Sequence, residues 1–243
     1  MKNSKKLLNM LVLSLMIALG VVISPILRVE GMCPMAHFIN IVCSVLLGPW
    51  YSLLCAVIIG IIRMMTMCIQ PIALTGAIFG AFLSVVFYKL FKGNLLMAVL
   101  GEIIGTGIIG AIMSYPVMTF IWGKEGLSWF FYVPSFICGT LIGGSIAYVF
   151  LKKLSKNGVL SKIQKKLLTE SYADKSSLIG NSISIATIGV IGYVVINLAG
   201  GIFKLDLQLC SLISKLIMAL FIMVSIIYYV VKIIKKDGAV IDK

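Results

Sequence analysis

Long apolar runs alternate with short polar segments over the whole length of this chain. Many of these runs contain about 17 to 25 residues, which is enough for an α-helix to cross the hydrocarbon core of a bilayer. The pattern predicts eight membrane helices, six in succession followed by a separate pair. Their expected ranges are residues 7–24, 37–47, 50–68, 72–91, 95–121, 131–151, 178–203 and 209–234.

The second run is short and polar at its start. A helix from His37 to Leu47 would be about 16 Å long at about 1.5 Å per residue, too short to cross a bilayer unless residues 34–36 also lie at membrane depth. Non-helical backbone at that depth is tolerated only where it is buried in protein or lines a cavity. The preceding loop, residues 26–36, is therefore a candidate lid over a pocket.

Residues 152–177 interrupt the membrane pattern. Their leucines and lysines follow helical spacing, which is typical of a basic amphipathic helix at a membrane surface. We therefore expect an all-α, polytopic integral membrane protein in three parts. These are a six-helix membrane domain over residues 1–151, a basic cytoplasmic linker over residues 152–177, and a two-helix transmembrane extension over residues 178–243.

Composition and charge support a membrane protein. The chain is 60% hydrophobic and 12% charged, about half the charged fraction of an average soluble protein. A net charge of +13 would suggest nucleic-acid binding in a soluble chain, but most of the lysines lie in short segments between apolar runs. This distribution is typical of cytoplasmic loops. It predicts a multi-pass protein of the cell membrane with both termini cytoplasmic, the lipid bilayer as its surroundings and no nucleic-acid partner.

Motifs of ATP hydrolysis and of common hydrolases are absent from the sequence. It has no G-x-x-x-x-G-K-[ST] loop, no H-E-x-x-H and no G-x-S-x-G, so neither a P-loop ATPase nor these enzyme classes is indicated. Its single histidine excludes a multi-histidine metal site. We expect no cofactor and no metal, and an enzyme is disfavoured.

Several polar side chains are predicted to lie inside the membrane, most of them towards its outer side. A charged residue in the bilayer core costs at least about 2.5 to 3.5 kcal/mol, so such residues usually face protein or a wet cavity. His37 and Asn40 share one helix face, and the third helix carries Arg63 back towards them. Glu102 is within reach of Arg63, either as a buried ion-pair partner or as a ligand contact. The candidate binding residues are His37, Asn40, Arg63, Gln70, Glu102, Tyr115 and Trp122.

Small residues recur four positions apart in several helices, a spacing that lets helices approach closely. In the first helix, Ser14 and Ala18 have this spacing and could face either a neighbouring helix or a partner protein. Trp122 also has a second interpretation, as part of the aromatic belt at the membrane surface. The pairs predicted to pack within the bundle are Gly76 and Gly80, Gly101 and Gly105, and Gly139 and Gly143.

Three segments together carry a family resemblance. They are HFINIVCSVLLGPWYSLLCAVIIGIIR, LTGAIFGAF and AVLGEIIGTGIIGAIMSYPVM. The chain resembles ThiW, the thiazole-specific S component, or substrate-binding membrane subunit, of energy-coupling factor (ECF) vitamin transporters. The resemblance covers residues 7–151 and leaves residues 152–243 unexplained.

The resemblance implies a six-helix subunit that captures a vitamin precursor, hydroxyethylthiazole, on its outer side. Such subunits work with a transmembrane coupling subunit and two ATPases. Small residues four apart in the first helix contact the coupling subunit in related proteins, which maps this contact onto Ser14 and Ala18, with serine in place of the usual first alanine. A neutral thiazole would need aromatic stacking and a few hydrogen bonds. A phosphorylated cargo would instead use Arg63 as its anion partner.

Other hypotheses keep the same helices. An S component for another small vitamin or precursor would leave the architecture unchanged. An integral-membrane enzyme would use His37 and Glu102 as acid and base. A secondary transporter acting alone is weakened by the lack of an evident inverted repeat of discontinuous helices.

Overall fold

The computed structural model describes residues 2–28, 32–167, 178–202 and 205–241. Within these ranges all of the regular elements are helices. The α-helices are α1 (Lys2–Ile23), α2 (Pro34–Leu47), α3 (Pro49–Met67), α4 (Ile72–Leu90), α5 (Leu95–Glu102), α6 (Ala111–Pro116), α7 (Val133–Lys156), α8 (Val159–Leu167), α9 (Leu178–Ile202) and α10 (Leu207–Ile241).

The fifth membrane span, Leu95–Ile121, is a continuous helix of mixed type. Two π-helical segments, Ile103–Gly110 and Val117–Ile121, follow α5 and α6 respectively. Among the described residues, 7 helical spans are long and apolar enough to cross a membrane, and α2 is a shorter apolar helix. The prediction of an all-α polytopic membrane protein is confirmed.

The second helix begins three residues earlier than the sequence pattern predicted. Pro34 occupies its first turn, where the missing proline N–H has no intrahelical partner to lose. Residues 34–36 are therefore helical and do not belong to the loop. Helix α2 has 14 residues, so it is about 21 Å long and still short for a membrane span. The middle of the lid candidate, residues 29–31, lies outside the described residues.

The described residues form two compact units, Met1–Lys175 and Ser176–Lys243. In the first unit α2 is almost entirely buried, packed against α1, α3, α4, α5, α7 and α8. A turn at Gly48, whose φ of 78° lies in the left-handed region that glycine adopts without strain, reverses the chain into α3. The short second helix is thus the centre of the bundle.

Glycines let the surrounding helices approach closely, as predicted from their spacing. A Cβ added to Gly101 or Gly105 would collide with the backbone of α4, and one added to Gly143 would collide with the carbonyl oxygen of Pro34. These positions bring the fifth span against α4 and bring α7 against the start of α2. At such backbone-to-backbone contacts between helices there is no room for a side chain on the glycine.

The basic segment after the sixth membrane span packs on the first unit. Helix α7 continues to Lys156, so the predicted boundary at residue 151 falls inside a helix. Helix α8 follows, and its Gln164 side chain is buried and donates Nε2 hydrogen bonds to the oxygen of Val45 (3.0 Å) and to the Tyr88 hydroxyl (2.8 Å). The lysines of α8 remain exposed on its other side. Residues 168–177 lie outside the described residues.

The second unit is an antiparallel pair, α9 and α10. Asn181 near the start of α9 donates to the Tyr228 hydroxyl (3.0 Å), and Asn197 near its end donates to Ser214 Oγ (2.8 Å). These polar side chains of the two apolar helices therefore form hydrogen bonds with each other across the pair. Lys215 lies on an exposed part of α10.

Candidate functional site

A cavity lies in the first unit where the N-terminal ends of α2, α4 and α7 meet the C-terminal end of α3. It contains about 530 Å³ of empty space, part of which is open to solvent. Most of its wall is apolar, and its polar or ionisable lining residues are Arg28, Cys33, His37, Asn40, Arg63 and Thr106.

Three of the predicted site residues, His37, Asn40 and Arg63, line this one cavity. The first two lie one turn apart near the start of α2. The turn at Gly48 makes α3 run back alongside α2, which brings Arg63, near the end of α3, to the same end of the bundle. Local helix periodicity and one tight turn are therefore enough to assemble these side chains.

Glu102 lies directly behind the cavity wall and is fully buried. Its Oε1 is 3.0 Å from Nδ1 of His37, and it accepts hydrogen bonds from Asn40 Nδ2 (3.1 Å) and Thr106 Oγ1 (3.0 Å). A buried carboxylate requires such partners. In return the carboxylate fixes the ring of His37 and the amide of Asn40, leaving Nε2 of the histidine for other contacts.

Of the two alternatives for Glu102, the ion pair with Arg63 is absent from the described residues. Glu102 Oε1 lies 3.0 Å from His37 Nδ1, and Arg63 Nη2 donates to Cys33 Sγ at 3.1 Å. Glu102 therefore supports the lining residues from behind and does not line the cavity itself.

A π-helical segment positions Thr106 at the cavity wall. Its hydroxyl lies within hydrogen-bond distance of both the oxygen of Gly76 (3.1 Å) and Glu102 Oε1 (3.0 Å), linking α4 to the fifth span. A Cβ on Gly80 would lie 2.6 Å from Glu102 Oε2 and would collide with Thr106. Single π-helical turns are often found at functional sites, and the apolar sequence around Thr106 gives no sign of one.

The other predicted residues do not line this cavity. Gln70 is half-buried in the connection between α3 and α4, and Tyr115 packs its ring against Trp129 with centroids 4.5 Å apart. Trp122 is 52% exposed, beside the exposed Phe120, as a residue of an aromatic belt would be. Sequence analysis also missed the cavity residues Arg28, Cys33 and Phe136.

Helix α1 presents an exposed apolar face. Ser14 and Ala18 both lie on it, and the Ser14 hydroxyl donates only to the oxygen of Met10 within its own helix (3.0 Å). The large residues that share this exposure are Leu7, Leu11, Leu15 and Val22.

The first unit is a bundle of apolar helices around a partly open cavity that carries fixed polar groups. This arrangement is typical of one class, the polytopic membrane proteins that bind a small molecule. The family model described as "Thiamine-precursor transporter protein (ThiW)" matches residues 10–157, more than half of the 243 residues. The chain belongs to this family: it is a thiamine-precursor transporter and not an enzyme. No curated protein and no solved structure matches the chain.

Proposed function

We propose that the first unit is the S component of an ECF-type, ATP-driven importer, and that it captures a thiamine-precursor thiazole, hydroxyethylthiazole. The observation that carries the proposal is the fixed set of polar groups at the cavity wall. Glu102 holds His37 and Asn40 in place before any cargo arrives. Groups that are already ordered lose little entropy when a ligand binds.

The chemistry of the cavity suits a small heterocycle with a polar arm. The Nδ2 of Asn40 is engaged by Glu102, so its Oδ1 and the Nε2 of His37 are the groups left for hydrogen bonds to cargo. Phe136 and Ile72 contribute apolar and aromatic surface for a ring.

The distribution of lysines supports an outward-facing cavity. Lys89 lies in the last turn of α4, Lys92 follows that helix, and the exposed lysines of α8 come after α7. The cavity lies by the opposite ends of both helices. Lysines mark the cytoplasmic side of membrane proteins, so cargo would enter from outside and both termini would lie in the cytoplasm of a cell-membrane protein.

The energy for import would come from partner proteins, since the chain has no phosphate-binding loop for ATP. We infer a transmembrane coupling subunit and two ATPases, with the coupling subunit docked on the α1 face around Ser14 and Ala18. That face is apolar and is left uncovered by the rest of the first unit.

Binding measurements on cavity variants test this proposal. His37→Ala and Asn40→Ala should each weaken hydroxyethylthiazole binding by about tenfold, because each removes a hydrogen bond of about 1 kcal/mol or slightly more. Calorimetry on the purified chain gives the affinities. Ser145→Ala, at an exposed serine of α7 that bonds only to its own helix, is the matched control. Unchanged affinity in both cavity variants would remove these residues from the binding site.

Dependence on the ATPases tests the importer class separately. Uptake of labelled thiazole should stop in cells that lack the two ATPase subunits, while binding by the purified chain continues. Uptake at the normal rate without them would show that the chain acts alone as a secondary transporter.

A further inference from the structure

The arginines and the histidine of this chain are concentrated at the cavity. The sequence has two arginines, Arg28 and Arg63, and one histidine, His37, and all three line the same cavity. Among the described residues, no lysine and no carboxylate lines it. The cations that line the cavity are therefore arginines, whose planar guanidinium group stays charged.

Arg63 is buried, and no carboxylate among the described residues pairs with it. The residue is 4% exposed, its Nη2 donates to Cys33 Sγ (3.1 Å), and its Nε has no hydrogen-bond partner among the described residues. A guanidinium has five N–H donors. A buried charge is costly unless an anion compensates for it. Glu102 bonds His37, Asn40 and Thr106 through Oε1, and its Oε2 makes no bond to Arg63.

We propose that the cargo is an anion of the phosphate-ester class, a thiazole whose hydroxyethyl arm is phosphorylated, with its phosphate held by Arg63 and Arg28. This inference rests on the proposed function and specifies its cargo further. A phosphate offers several acceptor oxygens and matches the fork geometry of guanidinium. A neutral alcohol would fill the same space and leave the charge of Arg63 uncompensated.

The two arginines would contribute differently to such a site. Arg63 is fixed within α3 and buried, so it would set the position of the phosphate. Arg28 is exposed in the segment after α1, so it can approach the cargo at the cavity mouth. Two guanidinium groups together match the charge of a phosphate monoester, which is nearly −2 at neutral pH.

The test compares three probes on the full-length purified chain by calorimetry: hydroxyethylthiazole, its phosphate monoester and inorganic phosphate. The ester should bind at least about tenfold tighter than the alcohol, and raising the salt concentration should weaken only the ester. Arg63→Gln should abolish the preference for the ester, and Arg63→Lys should retain part of it, since lysine keeps the charge without the fork.

Three further variants test whether a loss of ester affinity comes from misfolding or from a wrongly assigned counter-ion. Arg28→Gln changes an exposed side chain and should lower ester affinity severalfold, and Lys124→Gln, a cation away from the cavity, should change nothing. Glu30 lies outside the described residues, and Glu30→Gln should leave the ester affinity unchanged. A marked gain in that variant would mean that the chain supplies its own counter-ion, which would overturn the inference.

The remaining outcomes separate the two proposals. If the alcohol binds as tightly as the ester, the inference is wrong and the proposed function stands. If inorganic phosphate alone binds as tightly as the ester, the arginines hold an adventitious ion only, and the inference is again wrong. If neither thiazole binds, the proposed function fails together with the inference.

Discussion

At the scale of single residues, Glu102 determines the geometry of the cavity. It is fully buried, and one of its oxygens serves His37, Asn40 and Thr106 at once. All three of those partners line the cavity, whereas Glu102 does not. In the proposed function, the carboxylate would therefore position the binding residues without contacting the cargo.

Replacing this carboxylate should affect stability and binding together. Glu102→Ala leaves three buried polar groups without their partner, at about 1 to 3 kcal/mol for each unsatisfied group, and should lower both the melting temperature and the affinity for cargo. Glu102→Gln keeps a carbonyl oxygen in place and should restore part of the stability. Thermal unfolding in detergent measures this, with Glu125→Ala, an exposed carboxylate, as the control. An unchanged melting temperature in Glu102→Ala would contradict the assignment.

Part of the site could be predicted at this scale. His37, Asn40 and Arg63 could be identified because polar residues inside apolar membrane runs are energetically costly and usually face protein or a cavity. The sequence left open whether Glu102 pairs with Arg63, because height along a helix axis does not show which face a side chain occupies. Phe136 and Cys33 could not be found, since one apolar residue among many, or a cysteine in a loop, carries no distinguishing signal.

At the scale of elements, the contact between α4 and the fifth span holds the site together. Gly76 and Gly80 allow Thr106 and Glu102 to pack directly against the backbone of α4. The spacing of these glycines predicted close packing, but the π-helical segment that aims Thr106 at the cavity could not be read from the sequence. Most helix ends were predicted to within three residues, but α1 begins five residues earlier, α7 ends five residues later and α10 ends seven residues later than predicted. The earlier start of α2 follows from Pro34, which favours a first helical turn.

A methyl group at Gly80 should disrupt this contact. Gly80→Ala places a Cβ in the space of Thr106 and 2.6 Å from Glu102 Oε2, and overpacking of this kind typically costs about 1 to 3 kcal/mol. We expect a lower melting temperature and weaker thiazole binding. Gly201→Ala is the matched control, because a Cβ there meets nothing within 4 Å. If the two variants had the same melting temperature and the same thiazole affinity, α4 would be able to shift without affecting stability or binding.

At the scale of the whole molecule, the proposed capture of cargo and the proposed docking of the coupling subunit lie on different surfaces of the first unit. The cavity is formed by α2, α3, α4, the fifth span and α7, whereas the exposed face around Ser14 belongs to α1. The family match ends at residue 157, so the pair α9 and α10 lies outside the matched part of the chain. Binding and coupling to the ATPases should therefore be separable by mutation.

A bulky residue on α1 should separate them. Ser14→Trp should block uptake in cells while leaving thiazole binding by the purified chain within about twofold of the parent, because the tryptophan would obstruct docking of the coupling subunit and lies away from the cavity. Val149→Trp, on an exposed position of α7, should support normal uptake. Normal transport by Ser14→Trp would remove α1 from the docking surface.

The most direct test of the central claim, that this cavity holds a thiamine precursor, is native mass spectrometry of the chain purified from cells supplied with hydroxyethylthiazole. The parent protein should carry one additional mass, equal to the thiazole or to its phosphate ester. The His37→Ala/Asn40→Ala double variant should carry little or none. A parent protein without bound thiazole, or a double variant that retains it fully, would contradict the account.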